Sequence, residues 1–160
     1  MPGVTRLSET KEHAEDAGRR TGRRLDRQEI EDFLRRGFWG VLALSVGDEP
    51  YGVPIIYAYD DDGTFYIANG PGKKIEMMQQ NPNVTLTVVE LEDYGRKWRS
   101  VIAYGRVELV GTIPEKLHAF NALRKQIPRP ATRLSDAAKL AAAKVIRLVP
   151  TEMTGKAIGY

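Results

Sequence analysis

Six consecutive residues, Asn69-Gly70-Pro71-Gly72-Lys73-Lys74, carry the clearest chemical pattern in this chain of 160 residues. Glycines let backbone N–H groups approach an anion, and a helix starting at Lys73 would aim its positive end the same way. The two lysine ammonium groups add formal charge. A phosphate monoester, with a charge of about −1.5 to −2 at neutral pH, matches that arrangement in sign and size. The loop is not a nucleoside-triphosphate loop. The Walker spacing is missing, and Ile75 stands where a Ser or Thr is required. The same residues also suit a solvent-facing turn with two surface lysines, and both readings stand on this loop alone.

A second pattern lies in Val53-Pro54-Ile55-Ile56-Tyr57. Proline cannot donate to a ladder, so Pro54 inside a strand demands an edge position, a bulge, or something other than a strand facing the backbone. A planar heteroaromatic ring with its own donors and acceptors would suit that edge. The third pattern is Trp98-Arg99-Ser100-Val101. On a strand, Trp98 and Ser100 project one way and Arg99 and Val101 the other. An aromatic ring, a guanidinium and a hydroxyl this close together suit a ring system or a phosphate. Trp98 equally fits a packing anchor.

What the sequence lacks excludes other chemistry. With no cysteine there is no disulfide framework, no thiolate nucleophile and no cysteine-ligated metal. His13 and His118 are the two histidines, one in a polar leader and one on a helix. No His–carboxylate constellation is expected, and neither a catalytic side chain nor a metal site is assigned. No run approaches the ~20 apolar residues of a membrane span, and residues 1–32 lack an apolar signal segment, so a cytoplasmic protein without membrane contact is expected. The net charge is +3. Arg19, Arg20, Arg23 and Arg24 could meet nucleic acid, but Glu9, Glu12, Glu15 and Asp16 offset them and no aromatics interleave. A solvated leader is the better reading.

The elements that must position these residues can be read from periodicity. Residues 1–24 are polar and form a flexible basic arm, and residues 25–160 form one domain. Asp26 caps a helix whose Ile30, Phe33 and Leu34 share one face and which Gly37 ends. Strands follow over 40–46, 51–59 and 64–68, as an antiparallel meander with turns at Gly47-Asp48-Glu49-Pro50 and Asp60-Asp61-Asp62-Gly63. A helix spans about 73–80, and Asn81-Pro82 breaks it. Strand four covers 84–90. Strand five covers 98–110, and its thirteen residues would reach ~43 Å if straight, so it must bend, with Gly105 the place. Thr112 caps a helix to Gln126, residues 135–143 are helical, 144–149 is the closing strand and 150–160 a tail. The fold class is α+β, mainly β: an antiparallel six-stranded split β-barrel with short flanking helices.

Three segments carry a family resemblance: Asp48-Glu-Pro-Tyr-Gly-Val-Pro-Ile-Ile-Tyr57; Gly72-Lys-Lys-Ile75 followed by Asn81-Pro-Asn-Val84; and Arg99-Ser-Val101 with Gly105. In order and spacing they resemble the flavin-binding split barrels related to pyridoxamine phosphate oxidase, in the nitroimidazole-resistance-like branch, over roughly residues 26–156. The resemblance implies a homodimer with FMN at the subunit interface, acting as an oxidoreductase on a small molecule. The backbone of Pro54, Ile55, Ile56 and Tyr57 would lie along the flavin ring. Asn69 or Gly70, with Lys73 and Lys74, would hold the ribityl phosphate, Lys74 being the stronger of the pair. Trp98, Arg99 and Ser100 would approach from near the partner subunit. That branch carries a histidine at or just before the phosphate loop, where this chain has Ala68 and Asn69, which argues against nitroimidazole reduction. Vitamin B6 oxidation is disfavoured because the substrate-phosphate ligands are not apparent. Deazaflavin or haem in the same barrel, and non-catalytic flavin binding, are the alternatives the resemblance allows.

Overall fold

The computed structural model describes residues 22–69, 71–128 and 137–160. The expected arm thus lies outside the described residues, apart from its last three positions. Of these, Arg23–Arg24 form a short strand, β1, against Ala157 and Lys156 near the other end of the chain.

Helix α1 (Arg27–Arg36) begins as its sequence dictates. Asp26 Oδ1 accepts from the Glu29 amide at 2.9 Å, and Glu29 Oε2 accepts from the Asp26 amide at 2.9 Å, closing a capping box. The Arg23 guanidinium also binds Glu29, and these hydrogen bonds hold its carboxyl down at about 2. Ile30, Phe33 and Leu34 are buried against the sheet.

The six expected strands are present: β2 (Trp39–Val46), β3 (Glu49–Ile56), β5 (Phe65–Asn69), β6 (Asn83–Glu92), β7 (Lys97–Leu109) and β8 (Lys144–Ile158). A further two-residue strand, β4 (Ala58–Tyr59), is cut from the run read as one strand over 51–59. All pair antiparallel in the order β3-β2-β6-β7-β8-β5-β4. The expected meander is therefore split. β2 and β3 form one hairpin and β4 and β5 another, at opposite ends of the sheet.

That order explains the curvature. β3 and β4 lie at the two ends of the sheet, yet Tyr57 alone separates them in the chain. The sheet must curl until its ends meet at that residue, which makes an open barrel with its seam beside Tyr57. The seam is bolted. Tyr57 is fully buried; its amide donates to the Phe38 carbonyl at 2.9 Å and its hydroxyl to the Leu34 carbonyl at 3.0 Å. Burial pushes the Tyr57 hydroxyl pKa well up, so it stays a donor at any physiological pH. Gln126 completes the joint by accepting from the Tyr59 amide at 2.8 Å while donating to the carbonyls of Leu34 and Gly37.

Inside the barrel, Leu42, Leu86, Val101, Ile146 and Leu148 meet the buried face of α1 and Ile75, Met77 and Met78 of helix α2 (Lys73–Gln80). On the other face helix α3 (Ile113–Gln126) covers Tyr66, Val110 and Val145, and α4 (Ala137–Ala142) is tied to α3, the Lys116 ammonium donating to the Ala141 carbonyl at 2.8 Å. Strand β8 runs on to Ile158, through residues read from the sequence as a tail. Its register against β7 shifts between Tyr104 and Gly105, the expected bend.

His118 corrects another expectation. Its Nε2 lies 2.6 Å from Asp60 Oδ2, joining α3 to the β4–β5 turn, and its ring meets Tyr66 edge-on. The hydrogen bond to Asp60 raises the His118 pKa against the opposing loss of solvent, and the charges of Asp60, Asp62 and Glu115 add to the rise. A histidine with a raised folded-state pKa stabilises below the unfolded value of about 6.5, and the gain is lost as pH rises through the folded value. The ring is 57% exposed, so the effect is small. We expect the His118→Gln variant to lose this decline in melting temperature above pH ~6.5. An NMR titration placing His118 at or below the ordinary histidine value would contradict the pairing.

Candidate functional site

The edge of the sheet at β3 combines two prolines with unpaired backbone. Among the described residues, strand β3 pairs only with β2, from Trp39↔Ile56 to Val46↔Glu49. Continuing that register pairs Phe38 with Tyr57, and the Tyr57 amide donates to Phe38. Odd-numbered residues of β3 therefore turn their amides toward β2 and even-numbered ones turn away. Pro50 and Pro54 both fall on the outward set, where a missing N–H costs the ladder nothing. The same parity leaves the Gly52 and Ile56 amides, and the carbonyls of Pro50, Gly52, Pro54 and Ile56, facing away from β2. Pro54 thus sits where its chemistry required, on an edge, beside backbone groups available to a ligand.

The lysine corner lies at the other end of this edge. The Lys73 ammonium sits 2.5 Å from Glu49 Oε1 and 5.3 Å from the centre of the Tyr51 ring, which ties the start of α2 to the start of β3. The hydrogen bond to Glu49 raises the Lys73 pKa. Lys74 is different. It is half-buried, has no acidic partner among the described residues, and desolvation lowers its pKa. Gly72 caps α2 without a side-chain hydrogen bond, and the first amides bonded back to it are those of Ile75 and Glu76. Among the described residues the Lys73 and Lys74 amides, at the start of the helix, have no acceptor. From Tyr51 to Ile55 the strand advances ~13 Å. The edge therefore offers backbone donors and acceptors at one end and a cation with helix amides at the other.

The other sequence-derived residues are placed as follows. Asn69 ends β5 and donates to its own neighbour, the Ile67 carbonyl, at 3.2 Å; Gly70 lies outside the described residues. Ile55 is buried inward, whereas Ile56 is 49% exposed on the outer face. Register places Ser100 opposite Val89 in β6, and Trp98 opposite Leu91. Within the chain these residues stand three strands from β3, ~14 Å away. The chain does not bring them to the β3 edge. Arg99 points to the inner face, where its guanidinium binds Glu90 through Nε at 2.9 Å and Nη2 at 2.5 Å. The Tyr160 ring lies 4.1 Å from it, and Phe33 5.6 Å. Arg99 is thereby committed within its own chain.

Three residues that shape this edge escaped the sequence reading. Trp39 is the ladder partner of Ile56, Gly52 turns its amide outward, and Glu49 holds Lys73. The shared parity of Pro50 and Pro54 is the signal that could have identified Gly52. Nothing local marks Trp39 or Glu49, whose roles depend on register.

The family model for pyridoxamine 5'-phosphate oxidase matches residues 26–157. An uncharacterized protein of Rhizobium meliloti is 34% identical over 106 residues, 64% of this chain and 69% of that protein. Among solved structures, an FAD-binding protein of Mesorhizobium loti is 33% identical with a TM-score of 0.71, covering 86% of this chain and 99% of that one. A candidate 5-nitroimidazole antibiotic resistance protein of Bacteroides thetaiotaomicron is 26% identical with a TM-score of 0.75, covering 86% and 87%. With the match running from the cap of α1 to the end of β8 over an open barrel of the same shape, this chain belongs to the pyridoxamine 5'-phosphate oxidase family.

Proposed function

We propose that this protein is a flavoprotein that binds FMN along the β3 edge and acts as an oxidoreductase on a small molecule. The observation that carries the reading is Lys74, half-buried and with no carboxylate partner among the described residues, on the first turn of α2, where its own amide and that of Lys73 have no described acceptor. A half-buried cation left without a counter-ion destabilises a protein unless a ligand supplies the charge. A terminal phosphate does so. The FAD-binding relative from Mesorhizobium loti supports a flavin. One unpartnered lysine with two helix-start amides, among the described residues, suits a single phosphate monoester and favours FMN over a dinucleotide.

The chain's residues then have distinct tasks. Lys74 and the α2 amides hold the phosphate, with Lys73 a weaker contributor because Glu49 already neutralises it. The outward amides of Gly52 and Ile56 and the carbonyls of Gly52, Pro54 and Ile56 orient the ring and tune it. When bound, the flavin supplies reversible electron transfer to and from small molecules. No acid–base side chain is required at the edge.

A homodimer is part of the proposal. Trp39, Val41, Ile56 and Tyr104 expose apolar surface on the outer face of β2, β3 and β7, more than isolated surface residues account for. Trp98 and Ser100 lie on that face, so a second copy packed there would receive them at its own β3 edge. The test is to purify the protein natively, denature it, and identify the released chromophore by mass while measuring molecular mass in solution. FMN at one per chain in a dimer is expected. A haem, or a monomer that takes up no added FMN, would overturn the proposal.

A further inference from the structure

A cleft of about 420 Å³ lies under the C-terminal end of α1, lined among others by Phe33, Arg36, Phe38, Trp39, Glu90 and Leu91. This volume is in the range of small-molecule sites. Three of these residues are aromatic, and Trp39 is 49% exposed. Of the two charged residues, Glu90 is neutralised by its two hydrogen bonds from Arg99. Arg36 is exposed and has no carboxylate partner among the described residues, because Glu31 and Asp32 face Arg35 one turn back. A helix C-terminus would ordinarily present a negative end here. That end is blunted: the Phe33 carbonyl accepts from Gly37, the Leu34 carbonyl from Tyr57 and Gln126, and the Gly37 carbonyl from Gln126. What remains is a largely apolar cleft with three aromatic residues in its lining and, among the described residues, one unpaired cation, Arg36.

We infer that this cleft, formed by the α1 C-terminus and the starts of β2 and the β6–β7 hairpin, is a binding site for a planar aromatic carboxylate. The guanidinium fork of Arg36 matches a carboxylate, and the aromatic walls match the ring. One cation suits a singly charged carboxylate better than a doubly charged phosphate ester. Trp39 is the ladder neighbour of Ile56, so the occupant would lie against the end of the β3 edge. Its role as the substrate class of the oxidoreductase rests on the flavin proposal above, but its binding does not.

The test is calorimetric titration of the full-length protein, saturated with FMN if it binds FMN, using 2-naphthoate and its neutral isostere 2-naphthamide. The carboxylate should bind about tenfold tighter than the amide. That preference should vanish in Arg36→Gln and persist in Arg27→Gln, a solvent-exposed arginine elsewhere on α1. No binding, equal affinity for both probes, or a preference that survives Arg36→Gln would overturn the inference. So would displacement of naphthoate by FMN, which would make the cleft part of the flavin's own site. The flavin content of the same samples reports separately on the flavin proposal.

Discussion

Reversing the charge of Lys74 should abolish flavin retention while leaving the fold intact. A unit charge pair at ~4 Å near a protein surface is worth about 4 kcal/mol at an effective dielectric of 20. Lys74→Glu replaces that attraction with repulsion of a dianion, so affinity for added FMN should fall by at least ~10³-fold. Lys73→Glu should cost far less, because the Lys73 charge is already shared with Glu49 and its side chain is exposed. The apoprotein provides the control. Removing an unpartnered, half-buried ammonium relieves desolvation, so Lys74→Met should leave the flavin-free protein as stable as the parent or more so, yet still lose binding. FMN titration followed by fluorescence quenching gives the affinities, and urea denaturation gives the stabilities. Equal losses from Lys73→Glu and Lys74→Glu would mean that Lys74 has no special role.

The contrast between the two lysines also shows where sequence reading stops. Helix boundaries were legible because they are written locally. Asp26 with Glu29, Gly72 before Lys73, and Thr112 before Glu115 each bring their own caps or breaks, and α1, α2 and α3 run between them. The bend at Gly105 was legible from length alone. The separation of β3 from β4 was not, since Tyr51 to Tyr59 reads as one apolar run and only the seam at Tyr57 divides it. The second half of β8 was missed for a related reason. Pro150, Thr151, Glu152 and Gly155 carry no strand pattern of their own, and β7 and α1 define the strand from outside. Gly155 lies so close to Leu25 and Ile30 that a Cβ there would come within 3.0 Å of both. In the candidate site, the anion loop and Pro54 were visible as residue types. That Lys73 has a partner and Lys74 none among the described residues depends on where Glu49 falls, and Arg99 looked available until register placed Glu90 beside it. Charge composition identifies cations; only the register says which are free.

Gly105→Ala should be the most damaging single-methyl change among the described residues. A Cβ there would stand 2.3 Å from the Val149 carbonyl oxygen and 2.9 Å from the Pro150 Cα, both backbone atoms of β8. No rotamer change relieves a clash with backbone, so the β7–β8 ladder must part at the bulge. There Tyr104 pairs with Glu152 and Gly105 with Pro150, which leaves Thr151 as the extra residue. The expected loss is about 3–5 kcal/mol, with a fall in melting temperature on the order of 10 °C. Gly111→Ala is the matched control: nothing lies within 4 Å of its Cβ position and its backbone is not left-handed. It should be neutral, or stabilise by up to ~1 kcal/mol through the unfolded chain. The comparison tests more than a clash, because the bulge helps the sheet curl until its two ends meet at Tyr57. If curvature is its task, Gly105→Ala should weaken FMN binding at the distant β3 edge as well as lower stability, even below its melting temperature. An Ala variant as stable as the parent would remove the bulge from the account of the fold, and one that is unstable but binds normally would uncouple it from the site.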